Sequence, residues 1–445
     1  MNSISSVPFW LASLSVYGEL KKDSVLSGFD WLLREDAKSP EQIAGVWSGI
    51  IRSLAEFSPA CSLPDYVYEK VLYSENAFSL ACAKYPYADL DFILKSAAEH
   101  DLKALSALAY LPAQQVKDYL EQTGMLDAAL ADQLSDYSCE HCQYACTPRW
   151  EDDGERLAEF YRMNGTGVFA KYKAFKFSVS RLSAAGRKGA ATEQEYYKSA
   201  LVPIADPDVV PVSSLKGYEA PRRKVEENTR AFVSGLPANN ILLYGDRGTG
   251  KSSTVKSMLE LFGEKGLRIV EVSKEDLLYL DKLSAMVAEQ PLKFIVFIDD
   301  LSFNEDDSSI SGLKAILEGT LAKRPKNLLI YATSNRRHLI KESFSSRTGD
   351  DVHLSDTLQE TLSLSDRFGL TVTFEVPGKV SYLQIVTDLA EESQIGMDQT
   401  SLHLGAERWA MLHGGRSPRM ARQFINSLLA LQNTTREESG LPEDL

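Results

Sequence analysis

Apolar and polar positions follow one period over the first two hundred residues of this chain and another beyond them. From Met1 to about Ala200, apolar residues recur every three or four positions. Trp31-Leu32-Leu33, Val46-Trp47 to Leu54 and Leu102 to Leu111 are clear cases, and the spacing predicts helices with one buried stripe each. Ser58-Pro59, Leu63-Pro64, Tyr85-Pro86 and Leu111-Pro112 mark the breaks between them. No repeat of fixed period stands out. Leu201 to Ser214 carries Pro203, Pro207 and Pro211 and is expected to run extended. After a helix expected from about Pro221 to Ser234, short apolar runs alternate with helical patterns. Strands are expected near 241–244, 268–272, 294–298, 328–333 and 371–376. This rhythm predicts an α/β fold, a mostly parallel five-stranded sheet with helices on both faces. After Pro377 the pattern returns to helix.

The first of those strands feeds Gly245-Asp246-Arg247-Gly248-Thr249-Gly250-Lys251-Ser252-Ser253, and a helical run, Val255 to Phe262, follows. Strand, glycine-rich turn with Lys-Ser, then helix is the context that G-x-x-x-x-G-K-[ST] requires. Gly245, Gly248 and Gly250 allow successive N–H groups to point inward and cradle phosphate oxygens. The helix adds its unpaired N-terminal donors. Lys251 can place a charge on the β- and γ-phosphates, and the Ser252 hydroxyl can ligate Mg²⁺. Downstream, Phe294-Ile295-Val296-Phe297-Ile298-Asp299-Asp300 reads as a central buried strand with its acids at the carboxyl end. Asp299 is placed to hold Mg²⁺, and Asp300 to orient and deprotonate an attacking water. Leu328 to Thr333 forms another such run, and Asn335 beyond it can lie between the γ-phosphate and the water or cap the next helix. Leu364-Ser365-Asp366-Arg367-Phe368-Gly369 precedes the last strand, and Arg416, Arg419 and Arg422 open a late helix.

Composition narrows the class. At 445 residues the chain calls for two to four domains, and its 44% hydrophobic and 25% charged residues are those of a globular protein. The formal charge of −14 disfavours a surface built wholly for nucleic acid. Local basic runs, Arg222-Arg223-Lys224, Lys323-Arg324 with Lys326, and Arg336-Arg337-His338, read first as solvated faces. Val7 to Tyr17 is too short to span a bilayer and has no basic residue before it, so a core helix of a cytoplasmic protein is expected, with no membrane partner. Cys139, His141, Cys142 and Cys146 could in principle hold Zn²⁺, but no second ligand pair follows, and reduced cysteines are expected. Gly165-Thr166-Gly167 has no strand before it and reads as a turn.

The order of phosphate loop, strand-end acids, strand-end Asn, Asp-Arg-Phe and late helical arginine resembles the AAA+ ATPases. Gly217-Tyr218-Glu219, Asn228-Thr229-Arg230-Ala231-Phe232, Ala238-Asn239-Asn240, Asp299-Asp300-Leu301-Ser302-Phe303 and Leu364 to Gly369 resemble one bacterial branch, an ATP-binding domain family of unknown function. The resemblance covers about 160–430. It implies a three-layer ATPase domain with a helical lid, ATP and Mg²⁺ as cofactors, and Asp246, Arg247, Thr249 and Ser253 within the nucleotide loop. It further implies Leu215 and Tyr218 near the adenine, Asn335 as γ-phosphate sensor, Arg419 reaching in from the lid, and Arg367 as a finger inserted into a neighbour's site of a homo-oligomer. Spacing alone leaves Arg416 and Arg419 as alternatives for the lid arginine. Two departures matter. Most relatives carry Glu where Asp300 stands, which implies slow turnover, and Ser273 to Leu283 lacks the aromatic-hydrophobic-glycine loop of unfoldases, Tyr279 reading as a packing residue.

The expected organisation is a helical partner-binding domain at 1–160, junction and linker at 161–214, ATPase domain at 215–377, lid at 378–435 and tail at 436–445. The leading functional expectation is an ATP-dependent oligomeric switch or remodeller of a protein partner. Its alternatives are a DNA-associated ATPase of helicase-loader or initiator type and a scaffold that binds nucleotide without hydrolysing it.

Overall fold

The computed structural model describes residues 4–58, 62–140, 142–144, 149–182, 192–302, 313–314, 317, 325–335 and 367–439. They form two compact units, Met1–Lys171 and Tyr172–Leu445. The first unit is helical. Its main helices are Ser24–Leu33, Pro40–Phe57, Leu63–Leu72, Phe92–Ala109, Ala113–Gln122 and Gly154–Asn164. Capping explains where several begin: Ser39 with Gln42, Ser62 with Asp65 and Asn76 with Ser79 each make a reciprocal capping box. Prolines sit where a missing N–H costs nothing, in the first turn at Pro64 and just before a helix at Pro112.

Tyr17, Phe29, Phe78, Trp150 and Tyr161 fill the core of this unit. The expected helix from Val7 to Tyr17 stops at Ser13, and a bend follows. Buried Asp101 explains the bend, because its carboxylate accepts the backbone N–H groups of Ser15 and Tyr17, each at 2.9 Å, in place of helical carbonyls. Cys142 is disulfide-bonded, against the reduced state expected from the odd cysteine count; a count does not tell how near two thiols lie. His141 and Cys146 lie outside the described residues, among which no group of three or more His, Cys, Asp or Glu converges on a metal position.

The second unit is built on a seven-stranded sheet in the order β2-β1-β4-β5-β6-β3-β7. The strands are β1 Ala174–Phe177, β2 Leu201–Ile204, β3 Ile241–Gly245, β4 Leu267–Val272, β5 Lys293–Ile298, β6 Leu328–Ser334 and β7 Leu370–Phe374. All pairings are parallel except β1 with β2. The five expected strands are present. The two added ones come from 161–214, read from sequence as junction and linker. Each is four residues long, too short for alternation to show, and Pro203 suits β2 because an edge strand need not donate on both sides.

β5 and β6 are buried almost throughout, as parallel strands covered on both faces must be. The helices Glu219–Val233, Lys251–Phe262 and Leu280–Ala288 accompany the sheet, and Lys379–Glu392, Gln399–His413 and Pro418–Ser439 form a separate helical cluster around Tyr382, Ala406 and Phe424. The order β4-β5-β6-β3-β7, with the glycine-loop strand next to last, makes this the AAA+ fold. Among the described residues no helix is long and apolar enough to cross a membrane.

Gly245 shows how tightly β3 meets β7. Its φ is 146°, and a Cβ there would lie 1.9 Å from the Phe374 carbonyl oxygen. Gly245→Ala is therefore expected to destabilise the chain by about 3 kcal/mol or more, overpacking and backbone strain together. Chemical denaturation of the full chain checks this.

Candidate functional site

β5, β6 and β3 are consecutive in the sheet, and their registers set Ile298 beside Ala332 and Tyr244 beside Ser334. The residues just beyond therefore emerge side by side at the carboxyl end, where open parallel sheets take ligands. Arg247 to Ser253, Asp299, Asp300, Thr333 and Asn335 line a cleft of about 550 Å³, closed by Leu215, Tyr218, Ile385, Leu389 and Arg419.

Lys251 begins the helix after the loop, with Gly250 as its cap at φ 90°. The ammonium donates to the carbonyl oxygens of Gly245 at 2.8 Å and Asp246 at 2.7 Å, and to Asn335 Oδ1 at 3.0 Å. Asn335 turns its other end to Asp300, donating from Nδ2 to Oδ1 at 2.6 Å. Lysine, amide and acid thus form one chain. A second set surrounds Asp299, whose Oδ1 accepts from Ser252 Oγ at 2.6 Å and from Thr333 Oγ1 at 2.5 Å. Burial lowers the Lys251 pKa from its ordinary value, opposed by Asp246, Asp299 and Asp300 and assisted by Arg419. Asp300 sits at φ 51°, a left-handed backbone that costs a non-glycine residue on the order of 1 kcal/mol.

The other end of the cleft is held by arginines. Arg222 donates to the Leu215 carbonyl at 2.6 Å, and Arg422, from the helix Pro418–Ser439, to the Ser214 carbonyl at 2.7 Å. Tyr218 donates its hydroxyl to the Glu375 carbonyl at 2.6 Å and lays its ring 5.3 Å from that of Phe374. Arg419 approaches the glycine turn so closely that a Cβ on Gly248 would stand 3.1 Å from its own Cβ. Arg416 makes a bidentate pair with Glu407 at 2.9 and 2.8 Å, so of the two alternatives Arg419 is the one that lines the cleft. The lining carries six cationic side chains, Lys216, Arg222, Arg247, Lys251, Arg419 and Arg422, against two carboxylates.

Gly245 and Asp246 take part through the carbonyls that hold Lys251. Arg367 is not among the lining residues; it stands in the turn before β7, next to buried Phe368. Asp366 and Arg336-Arg337-His338 lie outside the described residues. Tyr279 packs against Tyr197, ring centroids 6.0 Å apart. Sequence reading missed Thr333, which its place two residues before Asn335 on a strand could have flagged, since i and i+2 share a face. It also missed the contact of Arg422 with Ser214, for which no local pattern exists.

Residues 187–432 match the model of a family described as protein of unknown function (DUF815). No curated protein matches the chain. Solved structures similar to it include the Thermotoga maritima RuvB Holliday junction branch migration motor, at 15% identity over 51% of this chain and 66% of that one, TM-score 0.34. Others are the FIGL-1 AAA domain in complex with ADP, at 17% identity over 52% and 78%, TM-score 0.35, and AMPPCP-bound DnaA from Aquifex aeolicus, at 16% over 52% and 68%, TM-score 0.36.

The hydrogen bonds from Arg416 hold the Glu407 carboxyl below the usual glutamate range. A depressed folded pKa contributes stability that is present above the unfolded value and is lost as pH falls through the folded one. Thermal unfolding of the wild type should therefore weaken on acidification below the ordinary glutamate value of 4.5, and Arg416→Ala should flatten that dependence while lowering stability near neutrality.

Proposed function

The chain belongs to the family described as protein of unknown function (DUF815), and we propose that it is a Mg²⁺-dependent AAA+ ATPase of slow turnover, acting as an oligomeric switch or remodeller of a protein partner. The observation that carries this reading is the convergence of Lys251, Ser252, Asp299, Asp300 and Asn335 at the carboxyl end of the sheet, in two hydrogen-bonded sets joined through Thr333. The cationic lining of that cleft, in a chain of net charge −14, suits a polyphosphate.

In this reading the loop amides and the helix N-terminus cradle the phosphates. Lys251 neutralises their charge by exchanging a carbonyl partner for a phosphate oxygen. Ser252 and Asp299, hard oxygen donors 2.6 Å apart, fit Mg²⁺, which binds through few protein ligands and several waters. When bound, the ion supplies charge stabilisation to the transferring phosphoryl group. Asp300 orients the attacking water and takes its proton, and Asn335 reports on the γ-phosphate through its two partners. Leu215, Tyr218, Ile385 and Leu389 offer an apolar seat for adenine, and Arg419 reaches the phosphates from the lid. Arg367 serves the site of the adjoining subunit, and the unit Met1–Lys171 binds the protein partner. The shorter reach of Asp300 compared with Glu supports slow turnover. The DNA-associated alternative rests on the missing threading loop and on Ser334-Asn335-Arg336-Arg337-His338, whose three basic residues lie outside the described residues, and gains no support from the cleft.

Gel filtration with and without ATP is expected to show a nucleotide-dependent shift for the wild type that Lys251→Ala loses; identical profiles together with no ATP binding by the wild type would end the proposal. Arg367→Ala should bind ATP normally and hydrolyse it about 10³-fold more slowly, the scale of an arginine finger. Equal loss of binding and hydrolysis places that arginine elsewhere.

A further inference from the structure

We propose that Thr333 is a positioning residue for hydrolysis, one buried hydroxyl setting both acids of the site. The inference rests on the ATPase reading above and names a residue that motif spacing does not. Thr333 is 1% exposed near the end of β6. Its Oγ1 accepts the Asp300 amide N–H at 2.9 Å and donates to Asp299 Oδ1 at 2.5 Å. A hydroxyl has a single proton, so these two contacts divide its capacity cleanly: it receives from the backbone of one acid and gives to the side chain of the other.

The same residue holds the turn a third way, because its carbonyl accepts the Leu301 N–H at 2.7 Å. Asp299, Asp300 and Leu301 are therefore all tied to Thr333. This matters because Asp300 stands at φ 51°, a conformation that persists only where the surroundings over-determine it. Releasing its amide frees the turn to relax and swings the carboxylate away from Asn335. For Asp299 the effect is on rotation. Thr333 and Ser252 both donate to Oδ1, so two protein hydroxyls fix the carboxylate plane; with one gone the group can turn about its χ2 angle. Thr333 thus acts through the two acids, as outer partners of metal-ligating carboxylates do.

The test compares full-length wild type, Thr333→Val and Thr333→Ser. Valine keeps the branched shape without the hydroxyl, and serine keeps the hydroxyl without the methyl. Thermal unfolding reports folding, a fluorescent ATP analogue titrated with and without Mg²⁺ reports binding, and steady-state hydrolysis gives kcat and KM. Thr333→Val is expected to bind the analogue as wild type does without Mg²⁺, to lose the tightening that Mg²⁺ brings, and to show kcat lower by about 10- to 100-fold, with KM raised in step with that lost tightening. Thr333→Ser should restore both the Mg²⁺ response and kcat. A Thr333→Val protein with wild-type kcat and Mg²⁺ response overturns the inference. So does equal impairment of the two variants in step with lost melting temperature, which marks a packing role. A wild type that binds no nucleotide refutes the ATPase reading itself, whereas a wild type that turns over ATP beside a normal Thr333→Val refutes the positioning role alone.

Discussion

The Lys251 ammonium is the interaction on which the cleft depends. It has three protons and three acceptors, two on its own loop and one on the neighbouring strand, so it closes the glycine turn and ties that turn to β6 at once. A buried charge without such partners would cost several kcal/mol in lost hydration, and the loop carbonyls and the nearby carboxylates offset that cost. Burial lowers the pKa, but the three acids oppose it. Any anion entering the cleft then competes with carbonyl oxygens for one of the three protons, an exchange of like for like in which a charged acceptor forms the stronger bond.

That arrangement needs β5, β6 and β3 in register, and the rest of the second unit serves the register. Gly245 lets β3 lie against the Phe374 backbone, and Asn240 Oδ1 accepts the Ile330 N–H at 2.9 Å across the start of β3 and β6. Two arginines fix the outer wall, Arg222 and Arg422 taking the carbonyls of Leu215 and Ser214, whereas Arg416 is consumed by Glu407 away from the cleft. Their similar sequence settings give them different tasks, which follow from what lies opposite each guanidinium.

Much of this was legible in the sequence because the informative features are local. A glycine turn between a strand and a helix, acids ending an apolar run and an Asn ending another are each set by a few consecutive residues. Parallel pairing then puts strand ends together without further information. What stayed hidden was set by distance along the chain. β1 and β2 are four residues each and acquire their identity only by pairing with β4 and each other. Arg416 and Arg419 stand three apart on a sequence that cannot say where Glu407 will be. Thr333 looked like one more apolar-strand residue, since threonine favours strands for its shape as well as its hydroxyl. The bend after Ser13 was unreadable for the same reason, because the carboxylate that causes it lies 86 residues on.

Net charge also reads differently once residues are placed. A total of −14 seems to oppose an anionic ligand, yet at physiological salt a charge is screened over about 8 Å. Acids on distant faces therefore contribute little inside the cleft, where six cationic groups and two carboxylates set the potential. Low-dielectric walls from Ile385 and Leu389 strengthen that local field. The chain's net acidity is a sum over its whole length, while the lining of the cleft keeps the opposite sign at the strand ends.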